Sequence, residues 1–352
     1  MTNARVLIVD DSLTMRALIS QILESAEGIS VVGAAANADE AREMIVAHKP
    51  DVMTLDIEMP GMNGLEFLEE TMRERPMPVV MLSTLTQKGA KASIEAARLG
   101  AVDSFPKPTS TSMEEFNRLA PKLVALVIAA ATGKVLSTEE RAERRARRPA
   151  AASNYRWNGK MIAMGASTGG VEALFDLLPR FPENCPPTLI VQQFGSGFTD
   201  ALIEELNSVT HATVTPAVDG TPIQQGHIYI PTSEAAHMVI DRWPNPTVRL
   251  LLADPVNGRR PSIDLLFATI AKTARSDAIG VMLTGMGKDG AAGLKALRVA
   301  GAKTICQDQA SCVVYEAPAA AKAIGAVEIE LPLDAIAGAA LEACREVPSK
   351  AA

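Results

Sequence analysis

Several residue types that mark specialised proteins are scarce in this sequence. Aromatic residues make up 4% of its 352 residues, and the cysteines are scattered without a CxxC pair. This spacing argues against a structural zinc site and against a disulfide framework. We therefore expect buried, reduced thiols at Cys185, Cys306, Cys312 and Cys344. With so few aromatic side chains, the cores should be built mainly from aliphatic residues.

The sequence also lacks an excess of positive charge and a long apolar run. Its formal net charge is −7, which argues against a nucleic-acid surface spread over the protein, because phosphate binding needs clustered Lys and Arg. No stretch approaches the length of a membrane-spanning helix, and the run at 6–9 is too short for a signal peptide. We therefore expect a cytoplasmic protein with no nucleic-acid partner and no membrane insertion.

The pattern of apolar runs indicates two α/β domains, as the length of the chain also suggests. Short apolar runs separated by helix-like segments predict buried parallel strands. In the first part of the chain these runs lie at 6–9, 52–55 and 79–82. In the second part they lie at 161–165, 188–192, 228–231, 278–283 and 303–306. The predicted domains are therefore residues 3–120 and residues 159–347.

A run of mixed charge from Glu139 to Arg148 separates the two predicted domains. Mixed charge without apolar periodicity is typical of a solvated helix or linker. We therefore predict a helical, charged linker at 121–158. The basic cluster Arg144–Arg148 could instead bind an acidic partner.

Chemically active side chains gather where the strands of the first domain end. They are Asp10, Asp11, Asp56, Ser83 and Lys107. Because sites in parallel α/β sheets form at the carboxyl ends of the strands, we expect these side chains to lie close together. Crowded carboxylates call for a hard cation such as Mg²⁺. Asp56 could then attack a phosphoryl donor while Lys107 and the Ser83 hydroxyl hold the charge. Simple solvation of acids at strand ends is the alternative.

These residues, together with the string DIEMPGMNG at 56–64, resemble the receiver domains of two-component response regulators. The resemblance spans roughly residues 3–120 and implies a flavodoxin-like fold with a five-stranded parallel sheet. It implies that Asp56 accepts phosphate from a histidine kinase. It also implies that Asp11 and Asp56 bind Mg²⁺ with the Glu58 carbonyl, assisted by Asp10.

One position departs from the receiver pattern. Receivers often carry a switch aromatic three positions before the lysine that corresponds to Lys107. Ser104 occupies that position here, and Phe105 follows it. We therefore expect any change to affect signal transmission through that ring, and not the chemistry at Asp56.

A glycine-flanked serine, Ser167, stands between a predicted strand and a predicted helix in the second domain. The string GASTGG at 165–170 follows the apolar run and precedes the helix-like segment 171–178. This is the context of a nucleophile elbow, where glycines permit a sharp turn and the helix N-terminus favours developing negative charge. The alternatives are a turn that cradles a phosphate or nucleotide, or one that only closes a βα corner.

Glycine-rich and polar strings at 197–199, 255–264, 284–290 and 310–314 accompany the turn at Ser167. Together they make the second domain resemble the CheB family of chemotaxis methylesterases, which implies a doubly wound α/β hydrolase-type fold. The segments that carry the resemblance are 165–170, 197–199, 255–264, 284–290 and 310–314. Receiver included, it covers nearly the full chain. It implies that this domain, without a cofactor, hydrolyses glutamate methyl esters and deamidates glutamines on methylated chemoreceptors, and that a chemotaxis histidine kinase donates the phosphoryl group. Ser167 would be the nucleophile, Asp289 would orient the base, Met286 would lend a backbone N–H to the oxyanion, and Thr168 would support the base.

The general base of the family does not appear in the sequence. The family places a histidine directly after a glutamine at the end of the second strand, and here that dipeptide is Gln192-Gln193. A glutamine amide cannot accept a proton near neutral pH, so we predict impaired hydrolysis. His227 and His237 are expected to be structural rather than substitute bases. Two hypotheses follow: an impaired, phosphorylation-gated esterase, and a non-catalytic response regulator acting by docking or phosphoryl competition.

Overall fold

The chain divides into two compact units, Met1–Glu143 and Arg144–Ala352. The computed structural model describes residues 3–84, 86–108, 113–146, 155–193 and 197–346. Each unit contains a parallel sheet, which confirms the predicted α/β class. None of the helices in the described ranges has the length and apolarity needed to cross a bilayer. The four cysteines are free and buried, as expected.

The first unit alternates strands and helices around a five-stranded parallel sheet of order β2-β1-β3-β4-β5. Its strands are β1 (Ala4–Val9), β2 (Ile29–Ala35), β3 (Val52–Asp56), β4 (Val79–Ser83) and β5 (Asp103–Pro106). Its first helices are α1 (Leu13–Glu24), α2 (Ala38–His48), α3 (Gly64–Glu74) and α4 (Gln87–Leu99). The apolar runs at 6–9, 52–55 and 79–82 are confirmed as buried strands, and the predicted five-stranded flavodoxin-like sheet is confirmed with them.

Polar caps fix where the helices of this unit begin. The Ser12 hydroxyl accepts a hydrogen bond from the backbone N–H of Met15 at the start of α1. Asn63 caps α3 and forms a reciprocal capping box with Glu66. These side chains satisfy N–H groups that have no partner inside the helix. As a result, α1 and α3 start directly after the loops that carry the acidic residues.

Helix α5 (Met113–Ala131) continues past residue 120, and α6 (Thr138–Ala146) follows it. Leu123, Val127 and Ala130 on α5 are buried, and the helix packs against α1. The predicted linker at 121–158 therefore includes a packed helical turn or more at its start. Its residues 147–154 lie outside the described ranges.

The second unit is built on a seven-stranded sheet of order β14-β13-β12-β6-β7-β9-β8, in which every neighbouring pair is parallel. Its strands are β6 (Met161–Ala166), β7 (Thr188–Gln192), β8 (Thr213–Pro216), β9 (His227–Ile230), β12 (Ala278–Met282), β13 (Lys303–Gln307) and β14 (Ile329–Leu331). An antiparallel ribbon contains β10 (His237–Ile240) and β11 (Val248–Leu251). The helices are α7 (Gly170–Leu177), α8 (Thr199–Val209), α9 (Ile263–Thr273), α10 (Ala291–Val299), α11 (Glu316–Ala323) and α12 (Leu333–Ala343). The predicted strands of this domain are confirmed as β6, β7, β9, β12 and β13.

Arg144, from the basic cluster of the predicted linker, pairs with carboxylates of α7. Its guanidinium lies 2.9 Å from Glu172 Oε1 and also contacts Asp176. Both carboxylates are buried, so a neighbouring cation offsets the cost of removing them from water. This arginine therefore has an acidic partner inside the second unit, while Arg147 and Arg148 lie outside the described ranges.

The segments 155–158 and 341–346 of the second unit are joined by hydrogen bonds. The Tyr155 hydroxyl donates to the Leu341 carbonyl at 2.8 Å. The backbone N–H of Asn158 donates to the carbonyl of residue 344 at 3.0 Å, and the N–H of residue 346 donates to the carbonyl of residue 156 at 2.8 Å. The two segments therefore run together as a short antiparallel pair.

The position of Gly165, near the end of β6, has no room for a side chain. A Cβ atom there would lie 2.2 Å from Ile263 Cγ2. Gly165→Ala should therefore lower the free energy of unfolding by about 1–3 kcal/mol through overpacking. Urea unfolding followed by tryptophan fluorescence measures this, since both tryptophans lie in the second unit. As the matched control, Gly338→Ala at an exposed position of α12 meets nothing within 4 Å and should stabilise by about 0.5–1 kcal/mol. A cost at residue 338 equal to that at 165 would contradict the steric explanation.

Candidate functional site

The acidic residues of the first unit meet at the carboxyl ends of β1 and β3. Carboxylate oxygens of Asp10, Asp11 and Asp56 all lie within 4.8 Å of one another. Asp10 and Asp56 are buried, whereas Asp11 is exposed. The Asp10 carboxylate is held by the loop after β1, because its Oδ1 accepts a hydrogen bond from the backbone N–H of Ser12 at 2.9 Å. The sheet topology thus brings together the three carboxylates expected from the sequence.

Lys107 bridges two of these carboxylates. Its ammonium lies 2.8 Å from Asp10 Oδ2 and 2.7 Å from Asp56 Oδ2. Burial raises the pKa of Asp56 above its ordinary value, although the hydrogen bond from Lys107 opposes this shift. Burial also acts to lower the pKa of Lys107, but its hydrogen bonds to Asp10 and Asp56 outweigh that effect and raise it. The lysine is therefore held as a cation against the side chain predicted to receive phosphate.

Ser83 and Glu58 flank Asp56 through different contacts. The backbone N–H of Glu58 donates to Asp56 Oδ1 at 3.1 Å, while the Glu58 carboxylate is 3.6 Å from the Lys88 ammonium. The Ser83 hydroxyl donates to the Gly89 carbonyl at 3.1 Å. Ser83 is therefore at the expected strand end but is bonded to the first turn of α4 rather than to Asp56.

Ser104 and Phe105, at the position of the usual switch aromatic, lie inside β5. Their exposed fractions are 8% and 6%. They pair in register with Met81 and Leu82 of β4. The aromatic ring of Phe105 is thus already packed inward, and the neighbouring position carries a small buried hydroxyl.

The carboxylate cluster has the donor set that a hard divalent ion requires. Carboxylate and carbonyl oxygens are the usual ligands of Mg²⁺. The oxygens of these three side chains lie within 4.8 Å of one another, which is close enough for them to share one ion. The Lys107 ammonium neutralises part of the charge of Asp10 and Asp56. The residues present therefore fit a magnesium ion coordinated on the side of exposed Asp11.

Ser167 lies at the point where the strand order of the second sheet reverses. β6 is the first strand of this sheet in the chain, and it lies between β7 on one side and β12 on the other. Ser167 follows β6 directly, and Gly169, with φ of 78°, precedes the first residue of α7. Ligand sites of open α/β sheets form at such switch points. The sharp strand-to-helix turn predicted from the glycine pattern is therefore present.

Two neighbouring strands hold the backbone of Ser167 from either side. Its N–H donates to the Thr284 carbonyl at 3.1 Å, and its carbonyl accepts from Gln192 Nε2 at 2.9 Å. Both Ser167 and Gln192 are buried. The serine is therefore fixed by bonds from β7 and from the loop after β12.

Gln193 occupies the place beside Asp289 where a base would be expected. Its Nε2 donates to Asp289 Oδ2 at 2.6 Å and to the Pro261 carbonyl at 3.1 Å. Both amide hydrogens are thus used, which leaves Oε1 as an acceptor. Gln193 therefore binds Asp289 as an imidazole N–H would, but it offers no titratable nitrogen.

The loop after β12 approaches Ser167 closely enough to present backbone groups to it. A Cβ atom on Gly285 would lie 2.9 Å from Ser167 Cβ, so a side chain at this position would collide with the serine. Met286 follows in this loop and is half-buried. The carbonyl of buried Thr168 accepts from the Thr284 hydroxyl at 3.0 Å. Met286 and Thr168 therefore lie in the segments that surround Ser167.

Comparison with known proteins decides the family. A model described as CheB methylesterase matches residues 162–340, and one described as response regulator receiver domain matches residues 6–115. The chain belongs to the CheB methylesterase family. It is 49% identical over 341 residues to a protein of Agrobacterium fabrum named protein-glutamate methylesterase/protein-glutamine glutaminase, covering 95% of this chain and 94% of the relative. A Caulobacter vibrioides protein named protein-glutamate methylesterase/protein-glutamine glutaminase 1 is 47% identical, covering 97% and 98%.

A solved structure shows the same catalytic fold. The second unit of this CheB-family chain is similar to the CheB methylesterase catalytic domain of Thermotoga maritima, with a TM-score of 0.51 and 32% identity. The match covers 53% of this chain and 98% of that domain. The chain is therefore a CheB-like response regulator that joins a receiver domain to a methylesterase/glutaminase domain. The match of residues 162–340 includes the turn at Ser167.

Asp289 of this CheB-family chain is embedded among donors that the sequence did not indicate. Its Oδ1 accepts from the Ser262 hydroxyl at 2.8 Å, and its Oδ2 accepts from the Ile263 N–H at 2.8 Å. Asn257 Nδ2 lies 3.3 Å from Oδ1 and 2.8 Å from Asp264 Oδ2. Burial raises the pKa of Asp264, with the charge of Asp289 adding to the shift. Their segment, 255–264, was recognised as a family feature, but backbone donors leave no mark in a sequence.

The two histidines considered as substitute bases are bonded elsewhere. His237 is fully buried, its Nδ1 accepts from the Ser262 N–H at 3.1 Å, and its Nε2 lies 3.0 Å from the Asp254 carbonyl. His227 Nδ1 lies 3.2 Å from the Thr215 hydroxyl. Both ring nitrogens of His237 are thus occupied by backbone groups, which supports a structural role.

Proposed function

We propose that phosphorylation of Asp56 by a chemotaxis histidine kinase regulates a weakly active methylesterase and glutaminase centred on Ser167. Its substrates are glutamate methyl esters and glutamines on methylated chemoreceptors, and it acts in the cytoplasm. The observation that carries the proposal is the hydrogen bond of 2.6 Å from Gln193 Nε2 to Asp289 Oδ2. This contact supports the proposal because an amide, which cannot accept a proton near neutral pH, holds the position beside Asp289 where the resemblance implies a histidine.

In the receiver, Asp56 is the proposed phosphoryl acceptor. Asp10, Asp11, Asp56 and the Glu58 carbonyl would hold Mg²⁺, which, when bound, neutralises charge on the transferring phosphoryl group. One carboxylate oxygen of Asp56 attacks phosphorus, and the bond from phosphorus to the donor breaks. Lys107, already 2.7 Å from Asp56 Oδ2, then pairs with the new phosphoryl oxygens. Ser83 can donate to the same group once its bond to Gly89 is released.

In the second unit, Ser167 is the proposed nucleophile. Its Oγ attacks the ester carbonyl, methanol leaves from an ester or ammonia from a glutamine, and water then hydrolyses the acyl-enzyme. The Met286 N–H is proposed to donate to the oxyanion, with Thr168 supporting the adjacent residues. Asp289 lies in position to orient a base, but the side chain that it orients is an amide.

The missing step is removal of the proton from Ser167 Oγ. A carboxamide oxygen can accept a hydrogen bond from the serine but cannot take its proton near neutral pH. Binding and the oxyanion hole alone can leave about 10³-fold acceleration over water. The proposed enzyme therefore turns over slowly, and its rate does not depend on titration of an imidazole.

The second candidate is a non-catalytic response regulator that acts by docking or phosphoryl competition. The observation that favours it is the commitment of His237 to Ser262 and Asp254, which leaves that ring unable to replace the base. In this case the second unit would bind receptor without releasing methanol. Regulation would then reside entirely in the phosphorylation of Asp56.

Methanol release from methylated receptor at high protein concentration separates the two candidates. We expect the unaltered chain to release methanol slowly but faster than the receptor alone, and Ser167→Ala to lower that rate only slightly, because the nucleophile contributes little without its base. Ser208→Ala, an exposed serine on α8, serves as the control and should leave the rate unchanged. Methanol release no faster than from the receptor alone would contradict the esterase and favour the non-catalytic candidate.

A further inference from the structure

A cavity of about 390 Å³ opens in the second unit at the amino-terminal edge of the sheet, and Ser167 lies at the opposite, carboxyl-terminal edge. Pro187 directly precedes β7 and Asp277 directly precedes β12, so both mark the amino-terminal edge of the sheet. The lining residues are Trp157, Asn158, Gly159, Pro187, Ile223, Trp243, Pro244, Asn245, Pro246 and Asp277. A cavity of this size falls within the range of small-ligand sites.

Both tryptophans of the chain line this cavity. The indole N–H of Trp157 donates to the Lys160 carbonyl at 2.5 Å, so the polar group of this ring is satisfied within the protein. Trp243 is partly buried and packs against the hydrophobic core of the unit. The cavity is therefore bordered by two aromatic rings, one fixed by a hydrogen bond and the other by packing against the core.

Asp277 is the charged residue among those that line the cavity, and it is exposed. Within the described ranges it takes part in no ion pair. The nearby Arg345 is committed elsewhere, since it pairs with Glu342 and stacks on Tyr155. The cavity thus combines aromatic walls with a carboxylate that forms no ion pair with the described residues.

We propose that this cavity binds an organic cation, either an ammonium or a guanidinium group. Cations are attracted to the faces of aromatic rings, most strongly to tryptophan, and a carboxylate at the rim adds a charge-assisted hydrogen bond. Arginines in the described part of the chain stack on Phe67 and Tyr155, but neither Trp157 nor Trp243 has such a partner there. Proline and isoleucine walls suit the methylene stem of a lysine or arginine side chain. The site is separate from Ser167 and Asp56 and does not depend on the function proposed for them.

Intrinsic fluorescence of the full chain tests the site directly, because both fluorophores line it. The probes are N-acetyl-lysine amide, N-acetyl-arginine amide and tetramethylammonium, with N-acetyl-norleucine amide as the neutral match for lysine, all at constant ionic strength. We expect saturable changes with the cations and none with the norleucine derivative. Binding of the amino-acid derivatives without tetramethylammonium would assign the site to a partner's side chain, and binding of tetramethylammonium would admit free small cations.

Two variants and one control complete the test. Asp277→Asn should weaken cation binding roughly tenfold, and Trp243→Phe should weaken it several-fold while leaving Trp157 as reporter. Asp200→Asn removes an exposed carboxylate from α8 and should change nothing. Equal binding of norleucine and lysine derivatives, no response to any cation, or equal affinity in the Asp277 and Asp200 variants would each overturn the proposal.

Discussion

Replacing Gln193 with histidine is expected to raise the methylesterase rate by about 10²–10⁴-fold. The Asp289 carboxylate already accepts a hydrogen bond from this position at 2.6 Å. An imidazole could give Asp289 one N–H and leave its second nitrogen to take the Ser167 proton. Methanol release from methylated receptor, measured on the phosphorylated protein before and after the substitution, gives the ratio.

The pH profile adds a second readout for the same substitution. A histidine base must be neutral to accept the proton, so the rate of Gln193→His should rise with pH through the titration of the imidazole and then level off. The unaltered chain should show no such step, because an amide does not titrate in this range. The double variant Gln193→His/Ser167→Ala is the control and should fall back to about the slow rate of the unaltered chain. Similar rates with Gln193 and with histidine would show that the defect lies elsewhere.

Asp56→Asn is expected to abolish incorporation of phosphoryl groups from acetyl phosphate. An amide nitrogen cannot attack phosphorus as the carboxylate does, and the substitution also removes a Mg²⁺ ligand. Phosphoprotein electrophoresis measures the loss, and removal of Mg²⁺ with a chelator should reproduce it in the unaltered chain. The chelator arm tests the ion separately from the acceptor.

Asp39→Asn provides the control for the Asp56 substitution. Asp39 is an exposed acid in the first turn of α2 and should accept no phosphate. Its variant should incorporate as much phosphate as the unaltered chain. Phosphate on the Asp56 variant at an undiminished level would place the acceptor at another residue.

The central strands of both sheets could be predicted because both of their faces are buried. β3, β4, β7 and β12 are fully buried along their length, so each reads as a short apolar run. β8 and β14 gave no such run, since half or more of their residues reach the surface. The β10–β11 ribbon was missed because its pairing depends on its neighbours in space.

Residues of the candidate site divide in the same way. Asp56 ends β3 and Ser167 follows β6 directly, so residue type and position marked both, whereas Asp289 was indicated only by the family resemblance of the segment 284–290. Ser262 and Asn257 reach Asp289 across 27 and 32 positions of sequence. Such contacts form only when the loop before α9 closes on the loop after β12. Their polarity is common to many loop residues, and no local pattern distinguishes them.

The paired segments 155–158 and 341–346 determine where this domain can be joined to another. Because they are hydrogen-bonded to each other, the chain enters and leaves this domain at one place. A domain closed in this way can be appended to another, or inserted into one, without breaking any neighbour relation in its sheet. The methylesterase domain can thus be joined to a regulator through one short stretch of chain, with its sheet left untouched.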